Sequence, residues 1–308
     1  MYNHFFNKIL LLLFVLCILS FNYVSYWGFQ GHRIINRMAV FTLPKEMVIF
    51  FKKNIEYITE NSTKPDSRRY SNKKEGAGHY IDIEYYENLD SLENYNWKKI
   101  SSIISEDSLY KHGILPWRII QYKYLLQKAF EKKSYEDIIK YASELGHYIA
   151  DAHVPLHTTK NYNGQLTNQH GIHSLWETKV VNLISNEINY FTNKAIYIKN
   201  THTFIWDIIN KSHRDVQKVL EEEAILSKDT TIRKYTFPLQ NEKKTYSEEF
   251  IKAYNTKLNG MVSSKMKQAI ENLGSIWYTA WVDAGQPILS IKEIKYHIPF
   301  GIKNHECD

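Results

Sequence analysis

The sequence predicts an all-α fold built as a single domain, and three observations support that prediction. Apolar residues recur at three-to-four spacing through several long stretches, which places them on one face of a helix. No stretch sustains the alternation of a half-buried strand, and no internal repeat marks a solenoid. With 44% hydrophobic and 14% aromatic residues among 308, the chain has ample apolar surface for a core.

The elements follow in chain order. Lys8 precedes an apolar run over residues 9–19, shorter than the ~20 residues a bilayer span needs and suited to a secretory leader. Residues 1–26 are therefore predicted to be a signal peptide. An uncleaved anchor is the alternative, because Tyr26 is larger than the residue usually found before a cut. Gly28 and Gly31 loosen the start of the mature chain, and a helix is predicted over 33–43, stopped by Pro44. Residues 45–57 continue the amphipathic pattern through Met47, Val48, Phe50 and Phe51. A polar loop is predicted over 59–78 and a short segment over 79–83. Residues 84–112, rich in Tyr, Asn, Glu and Ser, read as a surface excursion with short helices.

Leu115-Pro116-Trp117 opens a helix to residue 132, since proline fits a first turn. Another helix covers 135–153, and Asn163-Gly164 signals a turn within a loop over 161–171. Helices are predicted over 173–185 and 204–226, with 187–203 ambiguous between them. After a polar loop over 227–246, one long helix is predicted over 247–284. Phe250, Tyr254, Leu258, Met261, Val262, Met266, Ile270, Leu273 and Trp277 keep its spacing. The domain is expected to occupy 27–288, with 289–308 a tail. A net charge of +6 suits anionic substrates but is too diffuse to imply nucleic acid by itself. The only cysteines are Cys17 and Cys307, and Cys17 would leave with the leader, so bound metal is the natural staple.

The chemistry gathers around residues 146–157. His147 and Asp151 are four apart on a predicted helix and share a face, so an imidazole and a carboxylate reach one point. Pro155 ends that helix, and the turn returns His157 towards the same point. His173 and Glu177 repeat the four-residue spacing on the next helix. Helices joined by a loop pack side by side, so these pairs with His157 could bind two metals. One His-x-x-x-Glu pair alone is more often a surface contact. His32, Asp66 and His79 are further candidates from the amino-terminal third.

Taken together, these motifs resemble the superfamily of bacterial zinc-dependent phospholipases C and single-strand-specific zinc nucleases of fungi and plants. The similarity runs from Trp27 to about residue 180, and the final long helix also fits. It implies three zinc ions. One would take Asp66, His79 and His147; a second would take the amine and carbonyl of an amino-terminal Trp27 with His32; Asp151 would bridge the two. The third would take His157, His173 and Glu177. The resemblance implies hydrolysis of a phosphoric ester by a zinc-bridging hydroxide, with Asp66 orienting the nucleophile or moving a proton.

Substrate is divided between a phospholipid head group and single-stranded nucleic acid or nucleotide. Glu177 in the closing position and the lack of a usable disulfide resemble the phospholipases, which makes phospholipase C-like activity the expectation. Trp176 and the run Asp66-Ser67-Arg68-Arg69 resemble the nucleases, with Arg69 the candidate substrate contact and single-strand endonuclease or 3′-nucleotidase the alternative. A non-catalytic zinc-binding protein is the third reading. Asp82 could orient a ligand or pair at the surface, and His153 and His170 are expected to face solvent or support ligands. Secretion or periplasmic export is expected, with no obligate protein partner.

Overall fold

The computed structural model describes residues 27–86, 89, 92–237 and 244–289; the predicted signal peptide, residues 290–308 of the predicted tail and both cysteines lie outside them. The described residues are all-α apart from one two-stranded ladder. Helix α1 (Trp27–Ala39) is followed by α2 (Lys45–Lys53), α3 (Ile55–Glu60), α4 (Lys64–Arg68), α5 (Lys73–Gly76), α6 (Trp97–Ser101) and α7 (Glu106–His112). The long α8 (Leu115–Glu131) and α9 (Tyr135–Ala152) form an antiparallel hairpin, turned by Lys133 at φ +52°. Beyond them come α10 (Val181–Ile184), α11 (Thr201–Arg214), α12 (Val216–Leu226), α13 (Glu248–Lys257) and α14 (Met261–Asp283).

Helix α9 is the axis of the molecule. Glu136 and Asp137 in its first turn complement the helix dipole, and every residue from Ala142 to Ala152 is buried. A helix apolar on one face alone would leave the other wet, so this one must be enclosed on all sides. Helices α1, α8 and α14 supply that enclosure. The indole of Trp277 on α14 donates to the carbonyl of Ala142 at 3.1 Å. Helix α1 comes so close that a Cβ at Gly146 would lie 2.2 Å from Asn36 Oδ1. That contact brings His32, one turn before Asn36, alongside His147.

Several boundaries differ from those predicted. Helix α1 begins at Trp27 rather than residue 33, taking Gly28 and Gly31 into its first turns. The stretch predicted as a loop over 59–78 is instead a chain of short helical turns through α4, α5 and flanking 3₁₀ segments. The predicted final helix is two helices, because Asn259 at φ +51° and Gly260 at φ +74° turn the chain between α13 and α14. Within the predicted loop over 227–246, Tyr235–Thr236 (β1) pairs antiparallel with Thr245–Tyr246 (β2). Residues Ser174–Val180 form a π-helical turn rather than the start of an α-helix. No helix among the described residues is long and apolar enough to cross a membrane.

Candidate metal centre

Eight of the candidate side chains arrive from six elements. His32 comes from α1, Asp66 from α4, and His79 from the 3₁₀ turn that follows α5. His147 and Asp151 sit one turn apart on the buried end of α9. Pro155 then opens a 3₁₀ turn, Pro155–Thr158, that carries His157. His173 caps the π-helical turn, and Glu177 lies within it. π-turns are rare and cluster at functional sites.

Asp151 is the hub. Its Oδ1 lies 3.4 Å from His32 Nε2, while its Oδ2 lies 3.1 Å from His79 Nδ1 and 3.3 Å from His147 Nε2. Asp66 Oδ1 approaches those same two histidine nitrogens at 3.7 Å each. The second group is adjacent: Glu177 Oε2 lies 2.6 Å from His173 Nε2 and 3.4 Å from His157 Nε2. The two groups are stitched together, since His157 Nδ1 donates to the carbonyl of His79 at 2.7 Å. In all, three sets of potential ligand atoms converge: His32, His147 and Asp151; Asp66, His79 and His147; and His157, His173 and Glu177.

The tautomers show what these sets are suited to hold. A carbonyl only accepts, so a ring nitrogen bonded to one carries the proton. His147 Nδ1 is bonded to the Ser62 carbonyl at 2.8 Å, and His173 Nδ1 to that of Tyr162 at 3.0 Å. With His157, three rings therefore point Nε2 at carboxylates, the atom that ligates a metal when it carries no proton. His147 Nε2 even faces His79 Nδ1 at 2.9 Å. His32 Nδ1 and His79 Nε2 are buried with no hydrogen-bond partner. Such an arrangement suits positive charge at its centre, from ring protons or from a bound metal ion. A tetrahedral zinc site with bonds of about 2.0–2.1 Å has ligand–ligand edges of about 3.3–3.4 Å, and the spacing around Asp151 fits it.

Charge and burial agree with that reading. The Asp151 carboxyl lies far below the usual range: burial opposes ionisation, but His147 and His157 outweigh it. Glu177 is likewise pulled down against burial, by His157 and His173. Burial disfavours the charged form of His147 and His157, yet Asp151 and neighbouring carboxylates lift both to about 9. His32 is lowered to about 4 by burial and by His147. The protons held on His147 and His157 stand where metal charge would otherwise sit. Burial also gives the site a direction. His147 is fully buried, whereas the side chains of Asp66, His157 and His173 are 15%, 13% and 25% exposed, which puts the mouth on their side.

Other candidates fall elsewhere. Trp27 opens the helix that carries His32. Arg69 Nη1 stands 4.0 Å from Asp66 Oδ1, at the rim. Arg68 is not a free phosphate contact, for its guanidinium is committed to Glu75 at 3.0 Å, to Glu144 at 2.9 Å and to the hydroxyls of Tyr122 and Tyr148. Asp82 pairs with His112 at 3.2 Å rather than orienting a ligand. His153 is buried, not solvent-facing: Nδ1 donates to the Ile149 carbonyl and Nε2 accepts from Asn272, pinning α9 to α14. Burial lowers its pKa to about 3. The orienting carbonyls of Ser62, His79 and Tyr162 carry no side-chain signature, so no sequence motif could have named them. Asn163 had such a signal in its Asn-Gly turn, and its Oδ1 accepts from the amides of Gly171 and His173.

Comparison with curated proteins gives no significant match. The family model described as S1/P1 Nuclease matches residues 27–276, a span that contains every candidate ligand. The chain therefore belongs to the S1/P1 nuclease family, and is a zinc-dependent phosphodiester hydrolase of the nuclease branch of the superfamily it resembles.

Proposed function

We propose that the domain over 27–288 is an exported nuclease that hydrolyses single-stranded nucleic acid with three zinc ions, released from a leader by cleavage before Trp27. The observation that supports it best is the convergence of histidine nitrogens and carboxylates in three metal-ligand sets around and beside Asp151, inside a chain of the nuclease family. Asp66, His79 and His147 would hold one zinc. His32 with the Trp27 amine and carbonyl would hold a second, and Asp151, with one oxygen turned each way, would bridge them. His157, His173 and Glu177 would hold the third. Zinc bound there supplies Lewis acidity towards phosphate oxygens and lowers the pKa of water near neutrality.

The residues of the chain do the rest. Asp66 stands at the solvent edge of a buried cluster and accepts the proton of the water that attacks phosphorus, as the bond from phosphorus to the leaving oxygen breaks. Arg69, beside Asp66, donates to a non-bridging phosphate oxygen. His147 and Asp151, closed off from solvent, keep bulk water from the reacting atoms. Glu177 in the closing position favours a second reading, hydrolysis of a phospholipid head group.

The purified mature protein should be assayed on single-stranded DNA, RNA, 3′-nucleotides and phosphatidylcholine, each with and without chelator. Chelator-sensitive release of nucleotides supports the nuclease; diacylglycerol release alone supports the second reading. Silence on every substrate with zinc retained points to a non-catalytic zinc protein. Mass spectrometry of the amino terminus tests Trp27, and elemental analysis counts the zinc.

A further inference from the structure

A second charged cleft lies away from the ligand atoms, where the junction of α11 and α12 faces the junction of α13 and α14. Its volume is about 430 Å³. One wall presents Lys211, Arg214 and Lys218, all exposed and spaced by three and four residues. Asp215 is the only acidic residue in the lining, and Lys265 engages it at 2.7 Å. That leaves Lys211, Arg214 and Lys218 without an ion pair among the described residues. The opposite wall adds positive charge of another kind. Helix α14 starts there, from Gly260, with neither a side-chain cap nor an acidic residue in its first turn. The cations also crowd one another: burial first, then Arg214 and Lys211, press Lys265 below the ordinary lysine range against the pull of Asp215. Three uncompensated side-chain cations and a helix N-terminus around one concavity have a natural counterpart in a polyanion.

The cleft also has a spatial relation to the metal centre. Lys265, which borders it, also borders the small cavity lined by His32, Trp176 and Glu177. The cleft and that cavity therefore share Lys265 as a buried wall.

We propose that this cleft is a second binding site for phosphate groups, which engages the phosphodiester backbone of a long single-stranded substrate outside the metal centre. The strand as its source rests on the nuclease reading; the affinity for phosphate does not. The test uses the zinc-loaded mature protein and the triple variant Lys211→Ser, Arg214→Ser, Lys218→Ser. These side chains are exposed, so the fold should be kept, and a charge-retaining variant (Lys211→Arg, Arg214→Lys, Lys218→Arg) is the control.

In the first arm, tripolyphosphate should raise the melting temperature of the parent and of the control by more than that of the serine variant, which keeps only the phosphate affinity of the metal centre. An equal shift in all three overturns the site. In the second arm, KM for a long single-stranded oligonucleotide should rise roughly tenfold in the serine variant while kcat/KM for a dinucleotide stays the same. The slope of log KM against log salt should fall by about 2, since three phosphate contacts on a single strand each contribute about 0.7. Tripolyphosphate binding with an unchanged oligonucleotide KM overturns the strand and leaves a site for free phosphate. Absence of cleavage for both lengths in the parent removes the nuclease reading, while the tripolyphosphate arm still decides the cleft.

Discussion

Gly146→Ala tests whether the crossing of α1 over α9 sets the metal centre. The added methyl would lie 2.2, 2.5 and 2.6 Å from Oδ1, Nδ2 and Cγ of Asn36, far inside contact distance. Asn36 is fully buried, and its amide donates to the His32 carbonyl at 3.0 Å, so it cannot swing away without breaking that bond. Two effects oppose each other. Alanine favours the helix over glycine by up to about 1 kcal/mol, whereas overpacking a dense core costs about 1–3 kcal/mol. The lost hydrogen bond adds about 1 kcal/mol to the cost, so the net effect is destabilising by about 1–3 kcal/mol. Because Asn36 sits one turn from His32, the same shift should lower zinc occupancy and activity. A double-mutant cycle with Asn36→Ala isolates the clash: the double variant should be more stable than the sum of the singles predicts by about 1 kcal/mol or more. Thermal unfolding with and without added zinc reads this out. Strict additivity, or a single variant as stable and active as the parent, would show that the close approach does not matter.

Three further outcomes follow from the same geometry. Asp151→Asn removes the carboxylate that faces three histidines; zinc content by elemental analysis should fall, and phosphodiesterase activity should drop by more than the ~10–100-fold typical of losing a supporting residue. Arg69→Ala should raise KM by roughly tenfold to a hundredfold, as for a lost charge-assisted hydrogen bond, while zinc content stays at the parental level. Glu75→Gln should cost about 1.5–3 kcal/mol at neutral pH, because its carboxylate meets Arg68 and Tyr148. Burial raises the Glu75 pKa, but Arg68 and Tyr148 pull it below its ordinary 4.5. Its stabilisation is therefore present above 4.5 and lost as pH falls through the lower folded value. Urea unfolding at pH 7 and in that acid range should show the gap between parent and variant closing on acidification.

The legible parts of this molecule are those encoded by side-chain spacing. His147 and Asp151 share a helical face in any α9, and Pro155 must interrupt that helix, so the centre of the site could be drawn from the sequence. Asp66 and His79 could not be drawn in the same way, because α4 and the turn at His79 are too short to show a period; only the resemblance singled them out. The break between α13 and α14 was hidden for the opposite reason. Apolar spacing runs unbroken across Leu258 and Met261, and the left-handed Asn259-Gly260 pair between them is solvent-exposed. The basic cleft was hidden too, since Lys211, Arg214 and Lys218 look like a solvated helix face until that break supplies the facing wall.

What the sequence could not express is the second bond of each histidine. His147 is tied to a carbonyl 85 residues away and His157 to one 78 residues away. Each tie occupies Nδ1, and so leaves Nε2 as the atom turned to the carboxylates. The candidate ligands therefore meet only in the folded chain. Metal bound by this cluster would add its binding energy to folding, and so help a domain with no disulfide keep five buried or half-buried histidines and three carboxylates together.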